Sequence, residues 1–136
     1  MSKRHEIRKI VTRFVEPWSN GHTEVFDELC APNYKLGTTA TLQDLKDGIL
    51  AYRKALPDLQ ASVGEIIIDG DKVAYTWIMR GTHLGDYQGI RETGKQVVMK
   101  GITILHLEHG RIVHDEFESS SPSFEQQISE KALVAV

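Results

Sequence analysis

One cysteine, four prolines and no long apolar run set the first limits on this chain of 136 residues. A lone Cys30 closes no internal disulfide and builds no thiolate metal cluster. Set among Phe26, Leu29 and Ala31, it reads as a small buried hydrophobe rather than a nucleophile. No stretch approaches the roughly 18 apolar residues of a membrane span. The opening Met-Ser-Lys-Arg-His-Glu is charged but leads into no apolar segment, which does not read as a secretory signal, so a cytoplasmic location is expected. The formal net charge is -3 and the basic residues are scattered, as in Lys3-Arg4, Arg8-Lys9 and Arg53-Lys54. A nucleic acid needs a concentrated basic face, so neither it nor a membrane is an expected partner. Repeats, low-complexity tracts and linkers are missing too. The length prior then gives a single domain over 1–136, large enough to bury roughly two-thirds of its unfolded surface.

What is present changes period partway along the chain. Ile7, Ile10, Val11, Phe14, Val15 and Trp18 recur at helical steps, and Asn20-Gly21 ends that run. A short second helix is expected from Thr23 through Leu29, closed by Pro32. Thr41 opens a third, with Asp44 as a capping-box partner and Leu42, Leu45, Ile49, Tyr52 and Leu56 on one side. Gly48 within it suggests close contact with a sheet. Pro57-Asp58 stops it.

From Leu59 the period becomes two. Leu59, Ala61 and Val63 alternate with polar residues, Gly64 marks a bulge, and Asp69-Gly70 signals a tight turn. Val73, Tyr75, Trp77 and Met79 share one face of the next strand. Strands over 95–107 and 111–118 follow, joined at Glu108-His109-Gly110, and a short helix is expected from Pro122 to about Ala132. Helices first and strands after argue α+β, with three N-terminal helices packed on the concave face of a strongly curved antiparallel sheet, a cone.

Residues 81–94, between two long strands, exceed any simple hairpin loop. They read Gly81-Thr82-His83-Leu84-Gly85-Asp86-Tyr87-Gln88-Gly89-Ile90-Arg91-Glu92-Thr93-Gly94. Gly-Thr-His-x-Gly, then Gly-Ile-x-x-Thr-Gly, then the Gly-Arg-Ile-Val hairpin at 110–113 resembles the SnoaL-like polyketide cyclase family. That family belongs to the nuclear transport factor 2-like and ketosteroid isomerase-like superfamily. Ala55-Leu56-Pro57-Asp58, Asp69-Gly70-Asp71-Lys72-Val73, Trp18-Ser19-Asn20-Gly21 and Leu29-Cys30-Ala31-Pro32-Asn33-Tyr34 extend the resemblance over roughly residues 5–128. It implies the cone fold, a small apolar ligand as partner, a homodimer through the outer sheet face, and acid–base chemistry without a cofactor.

Related cyclases carry an aspartate just after the last strand and a histidine on the strand before it. His106 occupies the histidine position, whereas the aspartate position falls at Ser120, within Ser119-Ser120-Ser121. The aromatic usual on the last strand aligns with Glu116, and Phe117 beside it hints at a one-residue slip. By simple alternation His114, Glu116 and Glu118 share a face with Ile112, and Asp115 and Phe117 share the other with Val113. Glu116 is then either a buried carboxylate replacing the missing acid or part of a solvated edge. His106, on a face with Ile102 and Ile104, is expected to point inward, as a catalytic or a core histidine. His83 either touches substrate at the cavity mouth or anchors the loop. Phe14, Tyr34, Tyr52, Tyr75 and Trp77 are expected to line the pocket or to be plain core. The paired aspartates of a ketosteroid isomerase are missing.

Six histidines show no H-x-x-x-H or H-E-x-x-H spacing. His106 and His114 approach across a hairpin, but two ligands do not make a site, so no metal is expected. The functional expectation is a cyclase- or isomerase-like acid–base enzyme acting on an apolar carbonyl or polycyclic compound, with His106, Glu116 and His83 as catalytic residues. The alternative is a non-catalytic ligand-binding or dimerising module, which Ser120 favours.

Overall fold

Apolar residues at helical spacing build the first layer. In the computed structural model, which describes residues 3–129, α1 (Lys3–Asn20) buries Ile7, Val11, Phe14 and Val15 on one side. A 3-10 turn, Thr23–Val25, leads into the one-turn helix α2 (Phe26–Leu29). Helix α3 (Leu42–Ala55) starts on a complete capping box: Thr41 Oγ1 accepts from the Asp44 amide at 3.2 Å, and Asp44 Oδ2 accepts from the Thr41 amide at 2.8 Å. Two orphan amides at the helix start are thereby satisfied.

The second layer is one five-stranded sheet in the order β1-β5-β4-β3-β2. Strands β2 (Gln60–Asp69), β3 (Lys72–Thr82), β4 (Gln96–Glu108) and β5 (Arg111–Ser119) form the expected antiparallel meander. The register of β2 against β3 shifts between Val63 and Ile66, around Gly64, where the Glu65 amide donates to Thr76 Oγ1 at 2.9 Å. His109 and Gly110 both take positive φ, 52° and 77°, to close the β4–β5 hairpin, the conformation a tight turn between right-twisted strands requires.

One element differs from the sequence expectation. Residues after Leu29 form a strand, β1 (Cys30–Leu36), which pairs in parallel with β5. Pro32 reads as a helix stop, and it is one. It also sits comfortably in an edge strand, where a missing amide costs no ladder bond. Helix α4 (Phe124–Ile128) supplies the closing helix. The part of that expectation at 130–132 lies outside the described residues.

The core fills the space between helices and sheet. Phe26, Ile49, Leu105 and Ile112 are fully buried there. Arg53 ties the layers, donating to the carbonyls of Trp18 at 2.9 Å and Leu59 at 3.2 Å. The 83–95 loop folds back on α3: the amides of Leu84 and Gly85 donate to the Ala55 carbonyl at 3.0 and 3.1 Å and so cap the helix end. A Cβ on Gly85 would collide with the Lys54 carbonyl oxygen. Tyr87 stacks on Phe124 with ring centroids 4.2 Å apart. The outer sheet face keeps exposed apolar residues, among them Ile67, Ile102 and Ile104.

Two expectations follow. Gly85→Ala should destabilise the fold by about 1–3 kcal/mol, because backbone rather than a movable side chain blocks the new methyl; chemical denaturation measures it, and an unchanged midpoint contradicts the packing. Asp58 accepts from the Thr82 amide at 2.7 Å and the Thr82 hydroxyl at 2.8 Å, bonds that hold its carboxyl below its ordinary 3.8. A carboxyl depressed in the folded state stabilises above its unfolded pKa and loses that contribution as pH falls through the folded value. The melting temperature of Asp58→Ala should therefore lie below that of the wild type at pH 7, with the gap closing as pH drops below 3.8.

Candidate functional site

The concave sheet face and the helices across it enclose a cavity of about 240 Å3. Phe14 and Trp18 of α1, Leu45 and Tyr52 of α3, and Tyr75, Trp77 and Met79 of β3 form most of the wall. The expected residues Phe14, Tyr52, Tyr75 and Trp77 thus meet around one space. Gly48, expected to touch the sheet, makes no such approach; a Cβ there would meet nothing within 4 Å, and the space it leaves belongs to the cavity. Gly101 has the opposite role. It lies opposite Trp77 in the β3–β4 register, and a Cβ there would collide with the indole. With that space open, Trp77 Nε1 donates to Thr103 Oγ1 at 2.9 Å.

One carboxylate sits deep in this wall. Asp115, on β5, is 4% exposed. Tyr34, from the unexpected strand β1, donates its hydroxyl proton to Asp115 Oδ2 at 2.6 Å. Tyr34 therefore stands behind the cavity rather than in its wall. Burial pushes the Asp115 carboxyl up from 3.8 to about 6, against the Tyr34 hydrogen bond, which favours the charged form. Burial first, and then the Asp115 charge, hold the Tyr34 phenol far above its usual value of 10.0. Tyr34 is thus a fixed donor, and Asp115 is the group able to change charge. Among the described residues lining the cavity there is no Lys, Arg or His, and the second carboxylate there, Asp44, belongs to the exposed start of α3. Cys30, the first residue of β1, is pushed up to about 12 by burial and remains a thiol.

A bulge decides which side of β5 faces in. His106 pairs with His114 and Leu107 with Ile112, so Val113 is left over. The extra residue inverts the alternation, and Ile112 and Asp115 both point to the core. The sequence expectations for three residues are corrected accordingly. Glu116 points outward and is exposed. His106 also points outward: β4 buries Val97, Met99, Thr103, Leu105 and Leu107, while Ile102 and Ile104, taken as inward markers, are 42% and 38% exposed. His83 is buried but lies outside the cavity wall. Its Nδ1 accepts from the Thr93 amide at 3.2 Å and lies 3.0 Å from the Thr93 hydroxyl, which ties the two ends of the loop together. Ser120, at the position where related cyclases carry aspartate, is exposed, with its amide donating to the Lys100 carbonyl at 2.9 Å.

Sequence reasoning thus missed Asp115 as the inward acid, although Phe117 beside Glu116 was a visible sign of the register change. Phe117 and Ser119 follow Asp115 into the cavity wall.

The family model for SnoaL-like polyketide cyclases matches residues 8–128. No curated protein matches the sequence. Among solved structures, a proposed polyketide cyclase from Acidithiobacillus ferrooxidans is 28% identical, with a TM-score of 0.77 over 94% of this chain and 97% of that one. TsrD from Streptomyces laurentii shares the fold at a TM-score of 0.83 and 17% identity, covering 95% of this chain and 98% of that one. AclR from Streptomyces galilaeus, described as a proposed hydroxylase, does so at 0.76 and 21%, covering 88% and 91%. With nearly its whole length matched by the family model, the chain belongs to the SnoaL-like polyketide cyclase family.

Proposed function

We propose that the cavity performs acid–base chemistry, without a cofactor, on a neutral apolar compound bearing an enolisable carbonyl, and that Asp115 is the base. The observation that carries this reading is the Tyr34–Asp115 pair, a buried carboxylate set in a mostly apolar hollow. A carboxylate with few competing water molecules and a pKa near neutrality suits proton abstraction next to a carbonyl. The lack of lining cations favours a neutral guest over an anionic one.

The chemistry balances within the cavity. Asp115 takes a proton from the carbon beside the carbonyl, leaving an enolate. Thr103 and Tyr75 line the same wall, and their hydroxyls are the groups to donate to the developing oxygen charge. In a cyclisation the enolate carbon forms a bond to a second carbonyl carbon of the same molecule, and the proton on Asp115 passes to the resulting alkoxide. In an isomerisation it returns to a different carbon. Tyr34 keeps the carboxylate aimed and has no contact with the guest. Apolar walls hold the chain folded so that the reacting atoms meet.

The non-catalytic alternative rests on Ser120 at the position where related cyclases carry aspartate; Asp115, five residues earlier, supplies a carboxylate by another route. Exchange of the α-protons of 2-tetralone, an apolar bicyclic ketone, followed by NMR in heavy water, separates the two. The wild type should accelerate exchange. Asp115→Asn, which keeps shape and the Tyr34 contact, should lower the rate by about 10²–10⁴-fold, and Tyr34→Phe by roughly tenfold. Quenching of tryptophan fluorescence by the ketone with no exchange above background would establish the binding-module reading instead.

A further inference from the structure

We propose that His106, His114 and Glu116 form a binding site for a divalent transition-metal ion of the zinc class on the outer face of the sheet. The sequence offers two of these ligands across a hairpin; the strand register supplies the third. His106 pairs directly with His114, and Ile104 with Glu116. Outward alternation then puts His114 and Glu116 two residues apart on one strand, both facing away from the core beside His106.

The donor atoms are already gathered. One ligand atom from each of the three residues lies within 4.8 Å of the other two. His106 Nε2 is 3.9 Å from Glu116 Oε1, and the two imidazole centroids are 5.4 Å apart. Donors around a tetrahedral zinc, with bonds of 2.0–2.1 Å, stand about 3.4 Å apart. Glu116 is exposed, so its side chain can rotate toward the imidazoles without a backbone movement.

A second observation concerns orientation. His114 Nε2 lies 2.9 Å from the Gly37 carbonyl oxygen, which only accepts, so this nitrogen carries the proton. In the neutral ring the lone pair is then on Nδ1. A carbonyl holding the second ring nitrogen is the arrangement that orients metal-bound histidines. Gly37 comes from the turn after β1, and its own amide donates to the Asp115 carbonyl at 2.8 Å, so the partner is itself fixed.

Two imidazoles and a carboxylate select zinc, nickel, copper or cobalt over magnesium and calcium, which prefer oxygen. The site is partly open to solvent, so water completes the coordination. It lies on the opposite face from the cavity, although His114 and Glu116 flank Asp115 and their charges reach its carboxyl.

Titration calorimetry of the untagged full chain with zinc tests the site. The expected result is one ion per chain at micromolar affinity, with no saturable binding of magnesium. His106→Ala and Glu116→Gln, both at surface positions, should each weaken zinc binding by about tenfold or more, with circular dichroism unchanged. His22→Ala, distant in the sequence from the three ligands, should bind as the wild type does. Zinc that fails to saturate below millimolar concentration, or wild-type affinity in both His106→Ala and Glu116→Gln, overturns the proposal.

Discussion

Val113 has no partner across the β4–β5 ladder, and the chemistry of both sheet faces follows from that single surplus residue. A strand presents alternate residues to opposite faces, and one insertion reverses every residue beyond it. With the bulge, Ile112 stays in the core and Asp115, Phe117 and Ser119 turn to the cavity. His114, Glu116 and Glu118 turn out. Without it, the interior would receive Glu116, and Asp115 would lie in solvent.

Turning a carboxylate inward is costly, and the surrounding structure shows how the cost is met. Strand β1 pairs in parallel with the same segment of β5, Leu36 lying opposite Asp115, and Tyr34 reaches the carboxylate from two residues earlier. One strong hydrogen bond compensates part of the desolvation, but not all of it, since the carboxyl remains raised to about 6. A fully compensated carboxylate would be a structural ion with little basicity. An uncompensated one would be neutral at physiological pH. The partial balance leaves a group that exchanges its proton near neutrality, inside a wall that is mostly apolar.

Much of the architecture was legible because it rests on local periodicity. The change from helical spacing before Pro57 to strict alternation after Leu59 placed α1, α3 and the four meander strands. The same alternation placed Tyr75 and Trp77 together, and both line the cavity. Strand β1 was hidden, since Cys-Ala-Pro-Asn-Tyr-Lys-Leu has no clean period and its pairing partner lies some eighty positions away, as the Tyr34–Asp115 bond does. Asp115 was hidden for a different reason: a bulge at Val113 leaves only an indirect sign, Phe117 beside Glu116. Exposed Ile102 and Ile104 pointed the wrong way, because apolar residues on an open sheet face look like core residues in a sequence. The glycine-rich loop drew attention to His83, whereas Gly81 and Gly85 serve a close approach to the end of α3, and Gly89 and Gly94 take positive φ.

The central claim is that a buried carboxylate at Asp115, held by Tyr34, confronts a guest inside the cone. A crystal structure of the protein soaked with 2-tetralone tests it most directly. The expected density has the ring system between Phe14 and Trp77, the carbon beside the carbonyl against Asp115, and the Tyr34 hydroxyl still bonded to that carboxylate. An interior collapsed onto its own side chains, or an Asp115 carboxylate turned away from the ketone and from Tyr34, would contradict it.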